Sequence, residues 1–139
     1  MDRKMFTVTE ANRALPRLSR LMRTVQTRLR WLRERPHKTR FLLESHRIPD
    51  DSPVRPDYFR ALVGIRAALA EAESMGVQVK DVKSGLVDFP SRLHGRDVLL
   101  CWKLGEDEVR FWHDLETGYA GRQPLPDSGR GGEDGEEGH

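Results

Sequence analysis

Asp97-Val98-Leu99-Leu100-Cys101-Trp102-Lys103-Leu104-Gly105-Glu106-Asp107-Glu108-Val109-Arg110-Phe111-Trp112-His113-Asp114 sets the architecture of this chain. Val98 to Trp102 is its longest unbroken apolar run. The run leads through a polar, glycine-containing turn into a second segment rich in β-formers, which together predict an antiparallel hairpin. Pairing Leu104 with Val109 places apolar beside apolar, and sets Trp102 opposite Phe111 and Leu100 opposite His113. That register gathers Val98, Leu100, Trp102, Leu104, Val109, Phe111 and His113 on one face, the natural surface for helices to cover. Leu99, Cys101, Lys103, Glu108, Arg110, Trp112 and Asp114 form a mixed opposite face. A one-residue shift sets Leu104 against Glu108 and mixes both faces, so the apolar match selects against it.

Upstream, Val77-Gln78-Val79 alternates as a strand does, and Gly85-Leu86-Val87-Asp88-Phe89-Pro90 reads as a short strand closed by proline, with a turn at His94-Gly95-Arg96. Before Gly76 the period is helical. Thr7-Val8-Thr9-Glu10 fits a capping box. From there Val8, Ala11, Leu15, Leu18, Met22, Val25, Leu29 and Leu32 recur at alternating spacings of three and four, a heptad pattern that favours helix-on-helix packing. Pro16 predicts a kink near Ala14 or a fresh helix start, and Arg35-Pro36 a stop. After a proline-rich connection over 36–56, in which Phe41-Leu42-Leu43 adds a turn or docks, Asp57 caps a second helix. Its stripe is Tyr58, Leu62, Ile65, Leu69 and Ala72, with a second row at Phe59, Val63 and Ala70, and Met75-Gly76 ends it. The expected fold is α+β: an antiparallel two-helix hairpin (8–75) on an antiparallel meander of about four strands (77–114), with a C-terminal extension (115–125).

Composition bounds the rest. The 139 residues, 37% hydrophobic and 33% charged with mean hydropathy −0.68, fit one domain over 1–125. Residues 126–139 read as a disordered acidic tail, since Asp127 to His139 holds five glycines, five acids and no apolar residue. No apolar run approaches the roughly 20 residues of a membrane helix, and no secretory leader follows Met1. Cys101, the only cysteine, excludes an internal disulfide and a cysteine-based zinc site, and fits the reducing cytoplasm. Residues 1–40 carry twelve Lys and Arg against three Asp and Glu. Such a segment can attract nucleic acid, or pair with the acidic remainder.

No phosphate-binding loop, dinucleotide fingerprint, His-Glu-x-x-His or nucleophile elbow is present, and no two histidines sit at a metal-ligand spacing. A metal site would have to be assembled in three dimensions. The segments Gly85-Leu86-Val87-Asp88-Phe89-Pro90, Leu100-Cys101-Trp102-Lys103-Leu104-Gly105-Glu106, Trp112-His113-Asp114 and Gly118-Tyr119-Ala120-Gly121-Arg122, with the opening Phe6-Thr7-Val8-Thr9-Glu10-Ala11-Asn12 and Leu15-Pro16, resemble a prokaryotic family known as domain of unknown function 2203. The resemblance runs from about Phe6 to Leu125. It implies a small cytoplasmic α+β protein without an assigned activity, and supplies no catalytic residues.

The residues themselves nominate three readings. The first is a non-enzymatic interaction module, in which helices 8–35 and 57–75 pair between chains as a homo-oligomer. The second is a small-ligand or metal site at Asp88, Trp112, His113, Asp114 and Arg122, where imidazole and carboxylates could serve an ion or acid–base chemistry. Against it, His113 on the apolar face reads as a core histidine. Glu106 lies at the far end of its strand, too distant to share an ion with His113. Cys101 and His113 project from opposite faces, which argues against a dyad. Trp102 reads as core, and Trp112 as a ligand platform or as packing under the C-terminal segment. The Gly118–Arg122 turn either binds an anion or lets Arg122 pair with an acid such as Asp88 or Asp114. The third reading is nucleic-acid binding through Arg28, Arg30, Arg33 and Arg35, set against a simple solvated helix face. The sequence specifies no cofactor.

Overall fold

The computed structural model describes residues 4–34 and 55–126. Among them are helices α1 (Val8–Arg33) and α2 (Arg55–Ser74), then strands β1 (Gln78–Asp81), β2 (Leu86–Leu93), β3 (Arg96–Lys103), β4 (Phe111–Asp114) and β5 (Gln123–Pro124), with a 3-10 turn at Tyr119–Gly121. The strands form one antiparallel sheet in sequence order. The class is α+β, and the C-terminal extension supplies a fifth strand to the expected four. The expectations for the proline-rich connection and the acidic tail fall on residues outside those described, apart from Pro126 of the tail and Arg55 and Pro56 of the connection; these two open α2, so Asp57 lies inside its first turn, where its charge suits the helix N-terminus, and is not the cap that the sequence predicts. No helix among the described residues is long and apolar enough to cross a membrane.

The capping box closes reciprocally. Glu10 N–H donates to Thr7 Oγ1 and Thr7 N–H to Glu10 Oε1, each at 3.0 Å. The helix runs through Pro16 as one element and ends at Arg33, with Glu34 as its C-cap. Val8, Ala11, Leu15, Leu18, Met22 and Val25 are buried as the heptad predicts, while its last two positions, Leu29 and Leu32, are only half-buried. In α2 the buried residues are Tyr58, Ala61, Ala68 and Ala72. Leu62, Ile65 and Leu69 are only half-buried, so the helix is turned toward its alanines relative to the expected stripe, and the smaller side chains allow a close approach to α1. Arg17 pairs with Glu71 at 2.8 Å, while Arg28, three turns further along α1, lies against Gly64. The helices therefore run antiparallel, and the segment joining them lies outside the described residues.

The helices' core partners are Val87, Phe89, Val98, Leu100 and Trp102 of the sheet. β2 does not stop at Pro90 but continues to Leu93. Proline is tolerated because β1 pairs only with the 86–88 end of β2, which leaves an open edge beyond. Phe6 occupies that edge: its N–H donates to Pro90 O at 2.7 Å, and Ser91 Oγ donates to Phe6 O at 2.5 Å. His94 and Gly95 both have positive φ (51° and 81°) between Leu93 and Arg96, which suits a tight two-residue hairpin.

One expectation is overturned. β3 and β4 pair Val98 with Asp114, Leu99 with His113, Leu100 with Trp112 and Cys101 with Phe111. This is the register the apolar match selected against. Residues 104–110 form a loop, so Leu104 and Val109 never pair as strand residues. Leu104 instead lies against Gly85, and Val109 is buried with its N–H donating to Asn12 Oδ1 at 2.6 Å. All side chains of β4 thereby change face.

Two substitutions calibrate this architecture in urea-denaturation experiments. Thr7→Ala is expected to cost about 1 kcal/mol through loss of the cap. Leu100→Ala, at a fully buried position, is expected to cost about 2–5 kcal/mol.

Candidate metal centre

The shifted register gathers a polar cluster on the sheet face away from α1. Asp88 of β2 pairs across to Cys101 of β3. His113 of β4 stands opposite Leu99, two residues from Cys101 and on the same face. Asp88, Cys101 and His113 are 2%, 0% and 2% exposed. One ligand atom from each, a carboxylate oxygen, the thiol sulfur and an imidazole nitrogen, lies within 4.8 Å of the other two. This corrects two expectations at once: His113 is buried on the far side of the sheet from the helices, and it shares a face with Cys101.

The hydrogen bonds define the imidazole. His113 Nδ1 is 2.8 Å from the carbonyl oxygen of Asp114. A carbonyl only accepts, so Nδ1 carries a hydrogen. Nε2 is 3.0 Å from Asp88 Oδ2, a contact that requires one further proton on either the imidazole or the carboxyl group. The two side chains thus share one proton at the centre of the cluster. Asp88 Oδ1 is buried without a hydrogen-bond partner among the described residues, an arrangement that costs about 1–3 kcal/mol unless something satisfies it.

Burial pushes the Asp88 carboxyl above the usual carboxylate range, and His113 draws it partly back. Burial, reinforced by the Asp88 charge, pushes the Cys101 thiol up to about 11, while Arg122 pulls against this. Cys101 is therefore a protonated thiol near neutral pH and not a free nucleophile.

Arg122 forms the rim. Its Nη2 donates to Glu106 Oε1 at 2.7 Å and lies 3.5 Å from Cys101 O. Its guanidinium stacks on Phe111 at 4.0 Å and Tyr119 at 4.8 Å. Arg122 thus pairs with Glu106 rather than with Asp88 or Asp114. Trp112 is on the helix side of the sheet, half-buried against the core, with Arg96 5.9 Å from its ring. It is therefore not on the face where the apolar match put it. The Asp114 side chain accepts from Thr117 Oγ1 at 3.1 Å, and only its backbone carbonyl serves His113. Of the five nominated residues the structure joins Asp88 and His113, sets Arg122 beside them, and directs Trp112 and Asp114 elsewhere. Cys101 is the donor that the expected strand register places on the wrong face. Its strand parity with Asp88 was available, but the register was not.

The arginines of α1 do not make one surface. Arg28 lines a cavity toward α2, Arg30 and Arg33 line a small one with Lys83, and Arg35 lies outside the described residues.

The raised thiol pKa has a direct consequence: below pH 11 lower pH means still less thiolate. Alkylation of the native, metal-free protein by iodoacetamide at pH 8 is expected to be at least about tenfold slower than in urea, where the thiol returns to about 8.5.

No curated protein and no solved structure is significantly similar to this chain. The profile of an uncharacterized conserved protein family, domain of unknown function 2203, matches residues 4–125, which include every residue of the cluster. The chain belongs to that family.

Proposed function

We propose that this protein binds one divalent transition-metal ion through Asp88, Cys101 and His113, as a binding module rather than as an enzyme. The observation that supports this most is the convergence of three chemically different donors within 4.8 Å at a buried point. The three donors suit a borderline ion such as Zn²⁺. At ligand distances of about 2.0–2.3 Å a tetrahedral ion sets its donors about 3.3–3.7 Å apart, so the widest pair here would close by up to about 1.5 Å on binding. The Nδ1–H bond to Asp114 O is the outer contact that turns Nε2 toward an ion. The shared proton of Asp88 and His113 marks the place that the cation takes. Thiolate and carboxylate together neutralise a divalent charge, and Asp88 Oδ1 gains a partner. One cysteine is too few for a cysteine-based site but enough for this mixed one.

A second reading, assembly as a homo-oligomer through helices 8–35 and 57–75, is supported by Phe59 and Val63. They are one turn apart on α2 and 44% and 64% exposed. A second copy would cover this row. A reducing compartment such as the cytoplasm suits a thiol ligand in either reading.

Cobalt substitution tests the metal reading. Purified protein titrated with Co²⁺ is expected to bind one ion per chain with a thiolate-to-cobalt charge-transfer band, absent in Cys101→Ser. A spectrum identical in wild type and variant would contradict the site. Binding must expel the thiol proton and the shared proton, so affinity rises with pH. Loss of the thiol proton alone gives an expected gain of about tenfold per pH unit below the thiol pKa of about 11, and a pH-independent affinity would also contradict the site.

A further inference from the structure

A second feature lies between the helices, far from the sheet cluster in sequence. Arg23, Thr24, Thr27, Arg28 and Trp31 of α1 face Asp57 and Arg60 of α2 across an open cleft of about 630 Å³. That is within the range of small-molecule sites. Gly64 makes room for the innermost cation, because a Cβ at this position would collide with the Arg28 guanidinium. Arg28 is half-buried. Its Nε is buried without a hydrogen-bond partner, and no carboxylate pairs with it among the described residues.

The charge in this cleft is unbalanced. Arg60 is answered by Asp57 at 2.7 Å, whereas Arg28 and Arg23 have no acidic partner among the described residues. Arg28, half-buried beside the exposed Arg23 and Arg60, presents a guanidinium whose N–H groups an anion can meet in the plane of the fork. Thr24 and Thr27 add hydroxyl donors to the wall. We infer that the cleft between α1 and α2 binds an oxyanion of the phosphate class, held chiefly by Arg28 with Arg23 and Arg60. The chemistry is the same whether the phosphate belongs to a small molecule or to a nucleic-acid strand. The site is independent of the metal reading.

Calorimetric titration at low salt separates these sources, with inorganic pyrophosphate, ATP and a single-stranded RNA oligonucleotide as probes. At least one probe is expected to bind wild-type protein, and the tightest identifies the source of the phosphate. Arg28→Gln is expected to lose about tenfold or more in affinity. Arg28→Lys keeps the charge but not the fork and is expected to lose most of that. Arg92→Gln, which removes a surface charge paired with Asp97, is expected to bind as wild type. Thermal melts confirm that each variant is folded. Absence of binding by all probes at millimolar concentration would overturn the inference. So would equal affinity of wild type and Arg28→Lys, or equal losses in Arg28→Gln and Arg92→Gln, which would indicate diffuse charge attraction.

Discussion

The register between β3 and β4 is the constraint on which the chemistry of this fold depends. Side chains alternate across a strand, so a shift of one residue moves all of β4 to the other face. The loop before β4 sets that register. Glu106 anchors it on one side: its N–H donates to Lys103 O, its carboxylate accepts from Lys103 N–H at 2.8 Å, and its carbonyl accepts from Trp102 Nε1 at 2.9 Å. Asn12 of α1 anchors the other side through Val109 N–H, and Arg110 O accepts from Leu125 N–H at 2.8 Å. Pairing then resumes at Phe111. His113 is delivered to the face that holds Asp88 and Cys101, and Trp112 to the helix side.

This loop also marks the boundary of what the sequence could disclose. Periodicity exposed α1, its capping box, the heptad core and the order of the strands, because those signals are local. The pairing of Leu104 with Val109 was chosen by matching apolar residues, a rule that assumes a tight turn. Both residues do find apolar surroundings, but in other ways: Leu104 against Gly85 and Val109 beneath α1. Glu106 anchors one side of the loop locally, but the bonds on its other side come from Asn12 and Leu125, residues distant in the chain that no local pattern announces. In α2 the buried stripe lies about one residue from the row of large apolar side chains for a related reason. Close packing of two helices rewards alanine, and the stripe drawn through Leu62 and Leu69 followed hydrophobicity alone.

The polar cluster shows how a sheet can assemble donors that have no sequence spacing. Asp88, Cys101 and His113 come from three adjacent strands, and each is ordinary in its own segment. Together they place a carboxylate, a thiol and an imidazole at one buried point, with an oxygen unpartnered among the described residues and one proton shared between acid and base. Burying such groups without compensation is unfavourable. A divalent cation at that point would resolve the charge, the shared proton and the orphaned oxygen together. Arg122, braced by Glu106, Phe111 and Tyr119, stands beside the sulfur, where it favours the thiolate that an ion requires.

X-ray absorption at the zinc edge of the zinc-loaded protein tests this account most directly, because it reads the ligand atoms themselves. The expected shell holds one sulfur at about 2.3 Å and nitrogen or oxygen neighbours at about 2.0–2.1 Å, one of them showing the outer-shell pattern of imidazole. A shell of oxygen and nitrogen alone, without sulfur, would place the ion elsewhere and contradict the assembly of Asp88, Cys101 and His113 into a metal centre.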